Sequence, residues 1–260
     1  MEDEGRKVND YAAEVVKNRS SLRRARVYEW AKEVLAGSTQ VRRDVQELAA
    51  GGGGTAVIAS SMAIGGYLLP SVLTRLCAER PGADITVHVD QPEPALRAAE
   101  VGEADFAVLT WTDRDPPSTV VGEKLRDEPL VLCASPDGPP DTDALTLRDT
   151  ASLPFVGVPR TVAFHHVLQE QLRAHGVRDL NTAVRLGHAE PMKQAVVDHG
   201  WVTFLPSYCV DSDLNSGRLR AVRITDAELF EGIGIFHRKA RYFSPLQRAA
   251  LTAIRDELRL

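Results

Sequence analysis

Cysteine, aromatic residues and excess positive charge are all scarce in this 260-residue chain. The three cysteines, Cys77, Cys133 and Cys209, are far apart and odd in number, so at least one lacks an intrachain partner. Reduced core thiols, and with them a cytoplasmic location, are the expectation. Lys and Arg number 31 against 36 Asp and Glu, giving a formal charge of −5 and an isoelectric point near 5.8. That balance argues against whole-surface attraction to phosphate or anionic membrane and leaves only local basic patches. The N-terminus, MEDEGRKVND, has no apolar core of the kind a secretory signal needs. Residues 48–74 carry no charge, but they contain six glycines, Pro70 and Ser60-Ser61. A strand, a tight turn and a helix start explain that stretch better than a membrane span.

Catalytic motifs are missing too. There is no GxSxG, no GxxxxGK[ST] and no GxGxxG after a strand, and GGGG at 51–54 precedes the first strand. Neither HExxH nor a paired CxxC occurs, and the adjacent His165 and His166 would diverge by about 100° on a helix. No enzyme activity, no cofactor and no metal site are expected. Glu100, Glu103 and Asp105 gather at a helix end before a strand and read as solvated polar residues rather than a catalytic cluster.

What is present is ordinary globular composition, 43% hydrophobic and 26% charged, long enough for a sizeable core. Residues 19–49 read as one long helix. Val27, Val34, Val41 and Leu48 recur every seven residues, flanked by Ala31 and Val45. So narrow an apolar stripe suits a partner helix, with an amphipathic helix lying on its own domain as the alternative. The glycines at 51–54 then form a linker.

From Thr55 the period changes. TAVIAS (55–60), DITVHV (84–89), DFAVLTW (105–111) and PLVLCAS (129–135) read as strands. They alternate with helices in GYLLPSVLTRLCAE, where Pro70 sits near the start, and in PALRAAEVGEA, ended by Gly102. The pattern restarts with PFVGVP (154–159), a helix at 162–175 closed by Gly176, AVRLG (183–187), a helix at 189–199 closed by Gly200, and WVTFLP. LRAVRI and GIGIFHR follow as strands, and the helix 244–260 has Ser244 as N-cap. Such alternation calls for mainly parallel sheets with helices on their faces, in two similar units of under about 120 residues each.

Ligands of open α/β sheets sit beyond the carboxyl ends of strands. Ser60, Ser61, Gln91, Thr110 and Trp111 hold those places in the first unit, and Arg160, Thr161, His188 and Phe204 in the second. Two such rows facing each other would form a cleft with hydroxyls, an amide, a guanidinium and aromatic walls, and no nucleophile–base pair. Each serine or threonine taken singly is also a good helix N-cap. Arg160 admits an anionic effector, although an arginine on a loop is more often solvent-exposed.

The run GTAVIASSMAIGGYLLPSVLTRLCAERPGADITVHVDQPEPALRAAEVGEADFAVL resembles the opening of the effector-binding domain of LysR-type transcriptional regulators. EPLVLCASPDGP, VVDHGWVTFLPSYCV, SGRLRAVRI and the closing SPLQRAALTAI are similar to later parts of that domain, and ARVYEWAKEVLA to the linker helix that pairs two chains. The resemblance covers residues 54–260. It implies the type 2 periplasmic-binding-protein fold: two Rossmann-like subdomains joined by two crossover strands, with a ligand between them. Ser60, Ser61, Gln91, Thr110, Thr161 and His188 fall on the family's effector-contact loops.

The division expected is an N-terminal tail over 1–18, the linker helix and glycine linker over 19–53, and an effector-binding domain over 54–260. Subdomain I would take about 54–130 and 228–260, and subdomain II about 131–227. Family members carry a winged helix-turn-helix of about sixty residues before the linker helix. MEDEGRKVNDYAAEVVKN is too short for a complete one, which reads as a shortened gene product or a lost head, so DNA binding is expected only through a winged helix-turn-helix that is absent or incomplete here. The partners expected are a small-molecule effector and a second copy of the chain, with no membrane. The rival readings are a solute-binding protein without a transcriptional role and an enzyme on the same architecture.

Overall fold

The apolar run of residues 55–61 alternates its burial so that Ile58 and Ala59 enter opposite cores, as a strand covered on both faces requires. This is β1 (Thr55–Ser61) of a computed structural model that describes residues 53–239 and 241–259, together with the isolated positions Trp30, Val34, Gly37, Ser38, Val41 and Val45. β1 lies between β2 (Asp84–Asp90) and β3 (Phe106–Thr110), parallel to both. β10 (Phe230–Arg238) adds to β3 in antiparallel register. One face packs on α1 (Leu69–Glu79) and α6 (Pro245–Arg259) through Ile58, Phe106, Ile233 and Ile235. The other packs on α2 (Pro92–Val101), whose Ala95 and Ala99 allow close approach to Ala59 and Ala107.

β4 (Val120–Ala134) carries the chain into a second half. Its first ten residues pair with β10, and its last five with β8 (Thr203–Pro206) and β9 (Arg220–Ile224), all antiparallel. A short β5 (Ala144–Leu145) extends β9. β6 (Phe155–Gly157) and β7 (Thr182–Arg185) form a parallel pair, joined to the rest by the Phe155–Val202 bridge. α3 (Ala163–Ala174) covers the Leu132, Phe155 and Phe204 side. α4 (Ala189–His199) and α5 (Ser207–Asn215) cover the Cys133, Val156 and Met192 side.

The sheets are therefore more mixed than the strand–helix alternation predicts. A chain that leaves one half and returns to it places its two crossing segments in opposite directions, so β4 and β10 pair antiparallel. The hydrogen-bonded path runs unbroken through β4, yet a gap opens between the two halves.

Three further features differ from the sequence reading. β4 begins at Val120, ahead of the expected strand at 129, and α5 forms over a segment whose sequence shows no helical pattern. Asp105 is not solvated. It is fully buried, accepts the Val57 N–H at 2.6 Å and forms an ion pair with the buried Arg241. A carboxylate inside a core needs such compensation to stay charged. At α6 the expected cap is a reciprocal one. Gln247 N donates to Ser244 Oγ at 3.4 Å and Ser244 N donates to Gln247 Oε1 at 3.0 Å.

Cys133 and Cys209 are buried free thiols and Cys77 is half-buried. In the arm, Val34 and Val41 are helical and 49% and 61% exposed, while Val27 and Leu48 lie outside the described residues. No helix of the described residues is long and apolar enough to cross a membrane.

Candidate functional site

Between the two halves lies a cavity of about 490 Å³. The first half supplies Ser61 at the end of β1 with Met62, Ala63, Gly66 and Tyr67 beyond it, Asp90 at the end of β2 with Gln91 beyond it, and Thr110 at the end of β3; β10 supplies Glu231. The second half supplies Val158, Val162 and Phe164 after β6, Gly187 to Met192 around the start of α4, and Leu205-Pro206 of β8. Mostly apolar walls with a few converging polar groups are the usual make-up of a small-molecule site. A five-residue π-helical segment (Ile64–Leu68) precedes α1, and its Gly66 and Tyr67 face this space.

Four of the residues chosen from sequence meet here: Ser61, Gln91, Thr110 and His188. Five do not. Ser60 is fully buried and its Oγ donates to Val108 O at 2.9 Å, tying β1 to β3; neighbours on a strand face opposite ways, so only one serine of the pair reaches the cleft. Trp111 stacks on Phe236 at 5.5 Å and lies over Gly122, Gly232 and Gly234, where a Cβ on Gly234 would stand 2.5 Å from the indole. Phe204 is 1% exposed and packs on Phe155 at 5.5 Å. Arg160 and Thr161 are exposed outside the cleft.

Arg160 and Phe204 line a different cavity, of about 320 Å³, under α3. Arg185, His165 and Asp179 join them there, and Arg185 Nη1 donates to Val158 O at 2.9 Å. Burial, then the charge of Arg185, holds His165 below the ordinary histidine range.

The sequence reading missed Tyr67, Glu190 and Glu231. Tyr67 Oη reaches across from the first half and donates to Glu190 Oε1 at 2.7 Å, while Lys193 Nζ lies 4.9 Å from the Tyr67 ring. Lys193, though buried, is bound by Glu190 at 2.6 Å, Asp213 at 2.7 Å and Cys209 O at 3.0 Å. Burial alone would lower its pKa, but the bonds from Asp213 and Glu190 hold it above the usual lysine value. The hydrogen bond from Lys193 keeps Glu190 below the usual carboxylate range.

Glu231, 2% exposed, has no such cation among the described residues. Its oxygens accept the Thr110 hydroxyl at 2.6 Å and the Tyr208 hydroxyl at 2.9 Å, and burial pushes it up to about 7 despite both bonds. A lone acid inside the apolar FEGIGIF run was the signal for it. Ser61 Oγ, also buried, has no hydrogen-bond partner among the described residues. The described residues contain no group of three metal-binding side chains.

A family model for the LysR substrate binding domain matches residues 49–259. The phosphonates import ATP-binding protein PhnC of Anaeromyxobacter dehalogenans (strain 2CP-C) is 28% identical over 208 residues, covering 79% of this chain and 41% of that protein. An uncharacterised HTH-type transcriptional regulator, YeiE of Escherichia coli (strain K12), is 23% identical, covering 80% and 70%. This chain thus spans less than half of the first relative. Among solved structures, the effector-binding domain of QuiR in complex with shikimate superposes with a TM-score of 0.67 at 15% identity, over 79% of this chain and 97% of that one, which is a likeness of fold.

Proposed function

Since the chain belongs to the LysR substrate-binding-domain family, we propose that it is the effector-sensing and dimerising portion of a LysR-type transcriptional regulator. Its effector is a small molecule held in the 490 Å³ cleft. The family is one of regulator domains, and binding, not turnover, is the role we assign. The observation that carries this reading is the cleft with the buried, unpartnered Ser61 hydroxyl in its wall. A buried hydroxyl without a bond costs about 1–3 kcal/mol, which a ligand in the cleft would relieve.

Ser61, Gln91, Thr110 and His188 are the proposed contacts. The units that close on the ligand are 54–130 with 228–260, and 131–227, hinged where β4 and β10 cross. Tyr67 on Glu190 spans the gap and would favour the closed form. A ligand preferring that form shifts the balance by its differential affinity.

The exposed Val34 and Val41 support an arm that pairs with a second copy of the chain. DNA would be reached through a winged helix-turn-helix of a complete regulator in the cytoplasm. A dimer in light scattering that weakens in the double variant Val34→Asp, Val41→Asp is the expected result, and a monomer would favour a plain solute-binding protein.

The main test is a thermal-shift screen of small metabolites on the full chain, since a ligand at about a hundred times its Kd stabilises by about 2.7 kcal/mol. A side chain at Gly66 would enter open space at the cleft wall. Gly66→Trp should therefore fold and abolish every genuine hit. Hits that survive it would move the site elsewhere.

A further inference from the structure

Inside the cleft the unanswered charge is of one sign. Among the described residues no lysine or arginine lines it, and its acids are Asp90, Glu190 and Glu231. Glu190 is answered by Lys193. Asp90 stands at the exposed rim, its Oδ1 accepting the N–H of Gln91 at 2.7 Å. Glu231 is buried and accepts hydrogen bonds from the hydroxyls of Thr110 and Tyr208, with no cation against it among the described residues, while Glu128 on β4 adds repulsion.

Helix starts are the usual anion binders of such folds, through free N–H groups and a positive dipole end. Two of the helix starts at this cleft, those nearest Gln91 and His188, are blunted. α2 opens Pro92-Glu93-Pro94 and α4 opens Ala189-Glu190-Pro191, so prolines remove donors and a glutamate already answers each dipole. The start at Met62–Ile64 keeps its N–H groups beside the unpartnered Ser61 hydroxyl, and that of α3, whose N-cap Val162 lies on the apolar wall, has no acid in its first turn.

Building on the cleft as effector site, we propose that it recognises a small molecule with an apolar body and a protonated nitrogen, the nitrogen seated against Glu231 within reach of the Ser61 hydroxyl. Met62, Val158, Val162, Phe164 and Met192 receive the body. A cation supplies the charge-assisted hydrogen bond that Glu231 lacks, whereas a simple carboxylate brings like charge to it. A free amine and an amino acid share this chemistry. The amino acid's carboxylate would take the open helix start after Ser61.

Three probes of similar size decide it by calorimetry on the full chain: 2-phenylethylamine, phenylalanine and 3-phenylpropionate. The amine, the amino acid or both should bind at least about tenfold more tightly than the carboxylate, and Glu231→Gln should cut that preference to about threefold or less. A better-binding carboxylate overturns the proposal, as does a preference that persists in Glu231→Gln or no binding by either nitrogen compound. Carboxylate binding that Gly66→Trp abolishes would leave the cleft as effector site and remove only the charge preference.

Wild-type protein gives a second measure if Glu231→Gln does not fold. The groups packed on Glu231 are Thr110 from β3, Tyr208 and Cys209 from α5 and Glu128 from β4 with its partner Arg126; burial holds both Tyr208 and Cys209 far above neutrality. As Glu231 sheds its proton between about pH 6 and about pH 8, affinity for the amine should rise and that for the carboxylate should fall. A flat amine profile overturns the proposal.

Discussion

The two cavities of this protein differ in how far their own polar groups are matched. The cleft between the halves is walled by loop and helix-start residues at strand ends, with buried polar groups that the protein leaves incompletely matched: Ser61 without a bond and Glu231 without a counter-ion. The cavity under α3 is walled by core side chains such as Phe155, Leu172 and Phe204 together with Arg160, Arg185, His165 and Asp179. One is a place where stability is withheld, and the other a place where packing falls short. Unmatched polar groups in a cavity point to a guest, because a ligand can complete them. The second cavity gives no such signal, because none of the buried polar side-chain atoms in its wall lacks a partner among the described residues: Arg185 donates to Val158 O and Thr203 to Val156 O.

Phe204→Ala should produce the largest effect and should fall on stability alone. Truncating a buried phenylalanine costs about 3–5 kcal/mol, and this ring packs on Phe155 inside the second half. Denaturant unfolding should show that loss with the order of ligand affinities unchanged. A reordered ligand preference would break the division between the two cavities.

Glu231→Gln should act next, and in the opposite direction. The folded protein keeps the Glu231 proton up to about pH 7, whereas the unfolded chain releases it near 4.5. Between those values the folded state holds a proton that the unfolded state has lost, so wild-type stability falls as pH rises. The amide carries no such penalty. Its advantage should be absent below about pH 4.5 and grow to about 3 kcal/mol by about pH 7. Melting curves of both proteins across that range measure it, and a constant difference would mean that Glu231 ionises in the cleft without penalty.

The same contrast governs what the sequence discloses. Helix ends at Gly102, Gly176 and Gly200 are readable because a chain leaving a helix there needs positive φ, and all three have it. Strands covered on both faces are readable as apolar runs. The first half of β4, VVGEKLRDE, is not, since a crossing strand with half-exposed faces carries charges. SYCVDSDLN of α5 contains poor helix formers and is helical through its packed Cys209 and Val210.

At the site, the rule of strand carboxyl ends finds Ser61, Gln91, Thr110 and His188, but it has no view of pleat phase and so cannot separate Ser61 from Ser60. Nor does it see that the loop after β6 turns Arg160 toward α3. Glu231 is the second residue of β10, and the amino end of a strand lies outside that rule; it reaches the cleft because β10 runs antiparallel to β3, which sets its start beside Thr110.

Ser61→Ala refines the comparison from the cleft side. Removing a hydroxyl that has no bond should leave stability unchanged or raise it by about 1 kcal/mol, while affinity for the nitrogen-bearing ligand falls about tenfold. A loss of stability with affinity intact would show that the hydroxyl serves the fold and not a guest.

Arg160→Ala is the matching probe of the second cavity, and its expected effect is the smallest. The guanidinium is exposed and solvated, and surface substitutions of that kind stay within about 0.5 kcal/mol. It lines the cavity under α3 and not the cleft, so calorimetry with the amine should return the wild-type affinity. The carboxylate probe is the more demanding arm. If 3-phenylpropionate binds wild-type protein and loses affinity in Arg160→Ala but not in Gly66→Trp, the anion sits under α3 beside Arg160 and Arg185, and the second cavity is a site in its own right. If neither variant changes in that way, the basic pocket is a packing gap and the cleft alone carries recognition.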